Sequence, residues 1–320
     1  MTYIGLQSQQ RRNNFRSLLL VFLFPVLIAA LTYLGSLALA WCATEGFGPD
    51  ASLSEHLPIV NQMFVSVLPF VLGGVLIWFL IAYFANTAII RNATQSVPLT
   101  RKENMRIYNL VENLCMANGM DMPKINIIED SALNAFASGL NKKSYTVTLT
   151  RGIINHLNDE ELEGVIAHEL SHIRNHDVRL LIISIVFVGI FSMIAQLGFR
   201  ALLSTGGNRG KNGKGGGGAL LALIVAVIAA IGYVLSILMR FTISRKREYL
   251  ADATGAEMTK NPMALASALR KISENPNLSK KAPDDVAQLF IEHSPKKAAF
   301  TSLFATHPPI EKRIQVLEQF

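Results

Sequence analysis

The chain has 320 residues, of which 17% are charged and 50% are hydrophobic, and its formal net charge is +7. A soluble domain usually carries about 25% charged residues, so the composition argues against a chain that is soluble throughout. The Lys and Arg residues flank apolar runs or are dispersed, and no basic stripe with interleaved aromatics is present. We therefore interpret the basicity as a membrane-topology signal and expect no nucleic-acid partner.

Four apolar runs account for the shortage of charge, and each approaches or exceeds the roughly 20 residues that a helical membrane crossing needs. They cover about 17–41, 63–88, 180–199 and 219–239. The first run is too long for a typical cleaved secretory signal and a second follows it, which favours an uncleaved anchor. The sequence thus predicts a multi-pass protein in a lipid bilayer.

The charges beside the first two runs predict the orientation of the chain. The first 16 residues carry three arginines and no acidic residue, whereas residues 42–62 carry three acidic residues and no Lys or Arg. This asymmetry places the N-terminus and residues 91–178 in the cytoplasm. The Gly-rich linker 204–218 contains an arginine and two lysines, which opposes a full crossing by the last two runs. Both a spanning and a re-entrant hairpin therefore stay open.

The remaining segments predict an α+β fold on a helical membrane base, with a small β-sheet in the aqueous part. The expected order is a membrane pair in 1–90, a first aqueous part in 91–178, a membrane hairpin in 179–240 and a second aqueous part in 241–320. Periodicity and turn residues predict aqueous helices over 101–118, from Asp159, over 244–274 and from Pro309 to Gln319, and short strands over 124–129, 133–139 and 145–150.

The sequence HELSH at 168–172 predicts a metal site on the helix that begins near Asp159. His168 and His172 are one turn plus about 40° apart on a helix, so both imidazoles can face one ion. Glu169 lies beside them, close enough to reach a water on that ion. This is the zinc-peptidase pattern, in which the metal lowers the pKa of its water and the glutamate takes the proton.

A candidate third ligand follows the fourth apolar run. Glu248 and Asp252 are four residues apart, so they share one face of a helix. Glu248 would complete a His-His-Glu set, and Asp252 would accept the ring N–H of a ligand histidine. The other interpretation of this pair is a surface carboxylate pair beside the basic stretch SRKR at 244–247.

HELSH at 168–172 together with EYLAD at 248–252 resembles the membrane-bound gluzincin metallopeptidases, and specifically the HtpX-type bacterial proteases that are related to the CAAX prenyl proteases. The resemblance extends to NAFASG at 134–139, to Asp177 and to THPPIEKRI at 306–314. It covers essentially the whole chain and includes the apolar runs.

The resemblance implies a zincin-like domain with one Zn²⁺ per chain, held by His168, His172 and Glu248, with Glu169 as the catalytic base. It also implies that the strand Asn134, Ala135 and Phe136 pairs with the substrate backbone. His307 matches a recurrent histidine of the family, for which we weigh oxyanion stabilisation against packing of the Pro308–Pro309 turn. His176 is expected to be a surface residue.

The resemblance implies a zinc endopeptidase of the bacterial inner membrane that cleaves misfolded or damaged membrane proteins, and the charge asymmetry predicts that it acts at the cytoplasmic face. One alternative is processing of lipidated C-termini, as in the CAAX prenyl proteases, although this chain is short for their large chamber. Another is a non-enzymatic membrane scaffold with a structural metal. The expected partners are protein substrates and the lipid bilayer. The sequence carries no signal for the number of subunits.

Overall fold

The computed structural model describes residues 6–43, 53–183, 245–274, 290–291 and 308–320, with scattered positions between 189 and 232. The chain divides into two compact units. The first contains Met1–Ser17, Tyr83–Ile185 and Arg240–Phe320, and the second contains Leu18–Ala82 and Val186–Met239. The segment boundaries at 90, 178 and 240 stay a prediction.

Two long helices, α1 (Leu6–Ala43) and α2 (Leu53–Thr94), contribute to the second unit. Among the described helices, the stretch His56–Thr94 of α2 is long and apolar enough to cross a membrane, with a mean hydropathy of 2.5. Its large apolar side chains point outward, and Phe70 is 82% exposed. Such a surface is unfavourable in water and is typical of a helix that faces lipid.

The other predicted crossings do not have the same support. The first run is also helical, but its apolar stretch, Phe22–Leu37, is shorter than the roughly 20 residues of a crossing. The third and fourth predicted runs fall largely outside the described residues. The fold is therefore mainly helical with a small sheet, while the prediction of four apolar helices is supported for α2 alone.

In the first unit, the described residues form a four-stranded mixed sheet in the order β1-β2-β4-β3. Strands β2 and β4 are parallel, whereas β1 pairs antiparallel with β2 and β3 pairs antiparallel with β4. Strand β3 is therefore at one edge of this sheet. The strand bounds are β1 Val97–Pro98, β2 Lys124–Ile128, β3 Ala135–Ser138 and β4 Thr146–Thr150.

The helix at Asp159–Arg174 is central to this unit, because it packs against the sheet, against the helix at Met105–Ala117 and against the two helices that follow residue 244. The helices of this unit are α3 (Met105–Ala117), α4 (Arg151–His156), α5 (Asp159–Arg174), α6 (Arg245–Thr259), α7 (Pro262–Glu274) and α8 (Ile310–Leu317). A further short helical stretch covers 177–183.

Helix α5 begins at the predicted residue because Asn158 and Glu161 form a capping box. The side chain of Asn158 accepts the Glu161 N–H at 2.9 Å, and the Glu161 carboxylate accepts the Asn158 N–H at 3.0 Å. The same carboxylate accepts bonds from Ser267 and Lys271 of α7, both at 2.7 Å. The side chain of Glu161 therefore caps the N-terminus of α5 and links this helix to α7.

The prediction of one helix over 244–274 is wrong, because the structure contains two helices there. Lys260 takes a left-handed φ of 57°, which ends α6. Asn261 then accepts the backbone N–H of Ala264 at 3.1 Å, and Pro262 occupies the first helical position of α7. These are ordinary residues for the start of a helix.

Candidate active site

Helix α5 places two imidazoles face to edge on one side. The rings of His168 and His172 are 4.8 Å apart between centroids and nearly perpendicular. Their Nε2 atoms lie 3.2 Å apart. Two nitrogens bound to one tetrahedral zinc ion at about 2.0–2.1 Å would lie about 3.3 Å apart, so the spacing of the imidazoles suits a shared ion.

Helix α6 brings Glu248 to the same point. One carboxylate oxygen lies 3.6 Å from Nε2 of His168, and the other lies 3.7 Å from Nε2 of His172. A ligand atom from each of the three residues can be chosen so that all lie within 4.8 Å of one another. Two imidazoles and one carboxylate form a ligand set that leaves a fourth position for water.

The close packing of α5 and α6 makes this meeting possible. A Cβ placed on Gly255 would lie 3.1 Å from the backbone nitrogen of His168, so only a glycine fits without movement. The hydroxyl of Ser171 donates to His168 O at 2.6 Å and contacts Ala251 O at 3.3 Å. The close approach at Gly255 and the contact between Ser171 and Ala251 join α5 to α6, which carries Glu248.

Each candidate ligand histidine also has a carboxylate on its other ring nitrogen. Nδ1 of His168 lies 2.9 Å from Oδ1 of Asp252. Nδ1 of His172 lies 3.2 Å from Asp177, a residue for which the sequence suggested no role. Such carboxylates fix the tautomer and the direction of a metal-binding imidazole.

Arg313 of α8 is the principal residue of the site that the sequence analysis missed. Its side chain is fully buried, and Nε and Nη2 donate to the two oxygens of Asp252 at 2.9 and 2.8 Å. Nη2 also lies 3.4 Å from Nε2 of His168. The residue lies within THPPIEKRI, so the signal was a basic residue inside an otherwise apolar helix face.

The buried charges of the site suit a divalent cation. The carboxylates of Glu169, Glu248 and Asp252 are buried together with the guanidinium of Arg313. With neutral imidazoles, this cluster has an excess of two negative charges. Buried charge without compensation is costly, so the residues present fit a divalent metal ion.

The pKa shifts of the metal-free site reflect this excess. Burial lowers the pKa of His168, but the hydrogen bonds to Asp252 and Glu248 outweigh it and raise the value to about 9. Burial raises the pKa of Asp252, but Arg313 and His168 outweigh it and lower the value to about 2. Burial raises the pKa of Glu169, against the effect of the two imidazoles.

Strand β3 lies beside this site, at the edge of the sheet. The backbone N–H of Ala137 faces the carboxylate of Glu169 and lowers its pKa, against the larger effect of burial. Asn134 directly precedes β3, and its carbonyl accepts the N–H of Thr150 from β4. The carbonyl of Ala135 accepts the N–H of Ile291 at 2.9 Å. The predicted substrate strand therefore lies beside the candidate site, and the carbonyl of Ala135 already accepts a hydrogen bond from within the chain.

Two other predicted histidines differ in outcome. His307 falls outside the described residues, so its role stays a prediction. Nδ1 of His176 lies 3.0 Å from the side chain of Asn14, and the backbone of His176 is left-handed, with a φ of 60°. His176 is absent from the group of candidate ligands found in the described part of the chain.

Comparison with known proteins now identifies the family. The model of peptidase family M48 matches residues 101–320. The chain belongs to peptidase family M48. A relative from Bacteroides fragilis, "Protease HtpX homolog", is 60% identical over the full length of both chains. Another protein of that name, from Streptococcus pyogenes, is 37% identical over 82% of this chain and 89% of its own.

Among solved structures, "Crystal Structure of S. mikatae Ste24p" matches with a TM-score of 0.45 and 20% identity, over 80% of this chain and 58% of that one. That similarity is too remote to indicate a shared reaction. Membership in family M48 makes the chain a protease of the metalloprotease class, and the resemblance seen in the sequence is confirmed.

Proposed function

We propose that the chain is a zinc endopeptidase in which His168, His172 and Glu248 hold the ion and Glu169 is the general base. The observation that carries this proposal is the convergence of three ligand atoms within 4.8 Å. A carboxylate that is not part of this group, that of Glu169, lies beside it. In the described part of the chain the group has three members, which suits a catalytic site better than a closed structural site.

The residues of the chain divide the chemistry between them. A bound zinc ion would supply Lewis acidity toward the peptide carbonyl and the attacking water. Glu169 takes the proton of that water and passes it to the leaving amine. Burial raises the pKa of this carboxyl group, which brings it closer to the range in which a base works at neutral pH. The N–H of Ala137 faces this carboxylate and favours its ionised form.

Binding of the substrate is proposed for the outer edge of β3. A peptide that adds as a further strand gains backbone hydrogen bonds with little dependence on its sequence. Asn134, Ala135 and Phe136 are the proposed contacts, and Ala135 O is an acceptor on this edge. A substrate that uses Ala135 O must replace Ile291, which holds it in the structure. His307 is proposed to stabilise the oxyanion.

We further propose a bacterial inner-membrane location, with the site facing the cytoplasm and with misfolded membrane proteins as substrates. The apolar surface of α2 and the charge asymmetry around the first two runs support this location. A reporter fused after Phe320 should give a cytoplasmic signal, and a periplasmic signal would contradict this orientation. A second reporter within 206–218 distinguishes a spanning hairpin from a re-entrant one.

The test of the peptidase proposal is a Glu169→Gln variant of the full-length protein in detergent. The amide cannot act as a base, so cleavage of labelled casein should fall about 100- to 10,000-fold, while the zinc content stays at that of the wild type. Glu163→Gln, on the same helix and away from the candidate ligands, is the matched control and should cleave normally. Wild-type cleavage by Glu169→Gln would refute the proposed mechanism.

A further inference from the structure

Residues Phe290 and Ile291 lie at the outer edge of β3, between two stretches that the structure does not describe. The backbone N–H and the backbone carbonyl of Ile291 both form hydrogen bonds. Its N–H donates to Ala135 O at 2.9 Å, and its carbonyl accepts from Nη1 of Arg313 at 3.1 Å. The residue is thus held by the predicted substrate strand on one side and by a buried residue of the metal site on the other.

The geometry of β3 shows that Ile291 lies at the edge that faces away from β4, where no other strand of the described residues pairs. Asn134 faces β4, because its carbonyl accepts the N–H of Thr150. Backbone groups alternate in direction along an antiparallel strand, so the groups of Ala135 and Ala137 face away from β4. The carbonyl of Ala135 accepts the N–H of Ile291, while the N–H of Ala137 faces the carboxylate of Glu169. The proposed base is therefore near Ala137, two residues or about 6.6 Å along the edge that holds Ile291.

The side chains of the two residues are also enclosed. Phe290 is 3% exposed and Ile291 is 2% exposed. The ring of Phe290 meets that of Phe136 edge to face, with centroids 5.0 Å apart and planes at 85°. Backbone pairing with a strand edge, combined with pockets for the side chains, is the way in which an extended peptide is recognised.

We propose that Phe290 and Ile291 occupy, within the same chain, the place of an extended substrate, and that they restrain the peptidase until a substrate displaces them. This inference rests on the proposed function and adds a substrate class: peptides with an aliphatic residue at the position of Ile291, preceded by an aromatic one. A tethered segment competes at an effective concentration in the millimolar range. Weakly bound substrates are therefore excluded, and long unfolded chains with many such pairs are favoured.

A permanent structural role for Phe290 and Ile291 makes different predictions. A segment that only completes the core has no reason to be displaced by a peptide, and its alteration would lower the activity together with the stability. A segment that competes with substrate gives way to an external peptide, and its weakening raises the activity. Binding and turnover can therefore distinguish the two roles.

The first experiment measures binding without turnover. A fluorescent peptide with the sequence of residues 288–293, QLFIEH, is titrated into the full-length Glu169→Gln protein in detergent, beside the same peptide with Asp in place of Ile. We expect the Ile peptide to bind at least tenfold more tightly and to increase hydrogen exchange at the amides of 290–291. Equal binding of the two peptides, or unchanged exchange, would overturn the proposal without affecting the peptidase assignment.

The second experiment weakens the segment in the chain itself. Ile291→Pro removes the N–H that Ala135 O accepts, and one hydrogen bond is worth roughly 2- to 12-fold in an equilibrium. We expect kcat/KM for labelled casein to rise by about that factor, mainly through a lower KM. Met263→Ala, at an exposed position of α7, should leave it unchanged. A folded Ile291→Pro protein with unchanged or lower kcat/KM overturns the proposal, and if it fails to fold, the peptide titration decides.

Discussion

Arg313 and Asp252 form a bidentate ion pair in the interior of the first unit, with donor–acceptor distances of 2.9 and 2.8 Å. Asp252 in turn lies 2.9 Å from Nδ1 of His168. The last helix of the chain therefore controls the direction of an imidazole on α5 through one carboxylate of α6. Removal of any one of these groups is expected to affect metal binding and stability in different proportions.

Asp252→Asn should weaken zinc binding by about 10- to 100-fold, because the amide no longer fixes the His168 ring as the carboxylate does. Competition with a chromogenic chelator measures this change. Asp121→Asn is the matched control, because Asp121 is exposed and pairs with Lys142 at 2.7 Å. If the two variants bind zinc equally well, Asp252 does not support the metal site.

Arg313→Met should destabilise the protein by about 3–5 kcal/mol, because it leaves the carboxylate of Asp252 buried without its cation. The melting temperature should recover in part in the double variant Arg313→Met/Asp252→Asn, which removes that charge. Arg270→Met is the control, since Arg270 forms a surface pair with Glu318 and such pairs contribute about 1 kcal/mol or less. Equal losses from the two arginine variants would contradict the role of burial.

Glu161 should make the free energy of unfolding depend on pH in the acidic range. Burial raises its pKa, but the bonds from Lys271, Ser267 and Asn158 outweigh this and lower it below the ordinary 4.5. Its contribution to stability is therefore present above pH 4.5 and lost as the pH falls through the folded-state pKa.

Glu161→Gln should thus lower the melting temperature near pH 7 and flatten its decline in acid. Glu163→Gln on the same helix is the control, since the pKa of Glu163 is raised by burial and by Glu160 and Asp159. That substitution removes an unfavourable charge and should change the slope in the opposite direction. Identical pH profiles for both variants would contradict the assignment.

Zinc binding should strengthen as the pH rises toward 9. In the metal-free protein burial lowers the pKa of His168, but Asp252 and Glu248 raise it to about 9, and the proton must leave before an ion binds. That raised pKa also stabilises the metal-free fold fully below pH 6.5 and less as the pH rises through 9. Melting curves with chelator and with zinc should therefore diverge from pH 6.5 to 9, and parallel curves would refute this linkage.

The local parts of this structure were predictable from the sequence. The start of α5 follows from Asn158 and Glu161, and the spacing of His168 and His172 follows from the helix repeat. The three main strands follow from short β-branched stretches bounded by turns. In contrast, the two-residue strand β1 and the six-residue helix α4 carry too little periodicity to be recognised.

The tertiary parts of the site were only partly predictable. The pair Glu248 and Asp252 could be proposed as ligand and supporting carboxylate because their spacing matched a known pattern. Asp177, Arg313 and Ile291 reach the site through the packing of separate elements, and nothing local to each residue indicates its partner. A buried arginine and a backbone contact at a strand edge become visible only when the whole fold is known.

The most direct test of the central claim is the metal content and activity of Glu248→Gln, measured beside Glu257→Gln. Both residues lie on α6, but Glu248 is buried at the candidate ligand group and Glu257 is exposed. We expect one zinc ion per chain and full proteolysis in the wild type and in Glu257→Gln, and loss of both in Glu248→Gln. A Glu248→Gln protein that keeps its zinc and its proteolytic activity would contradict the account.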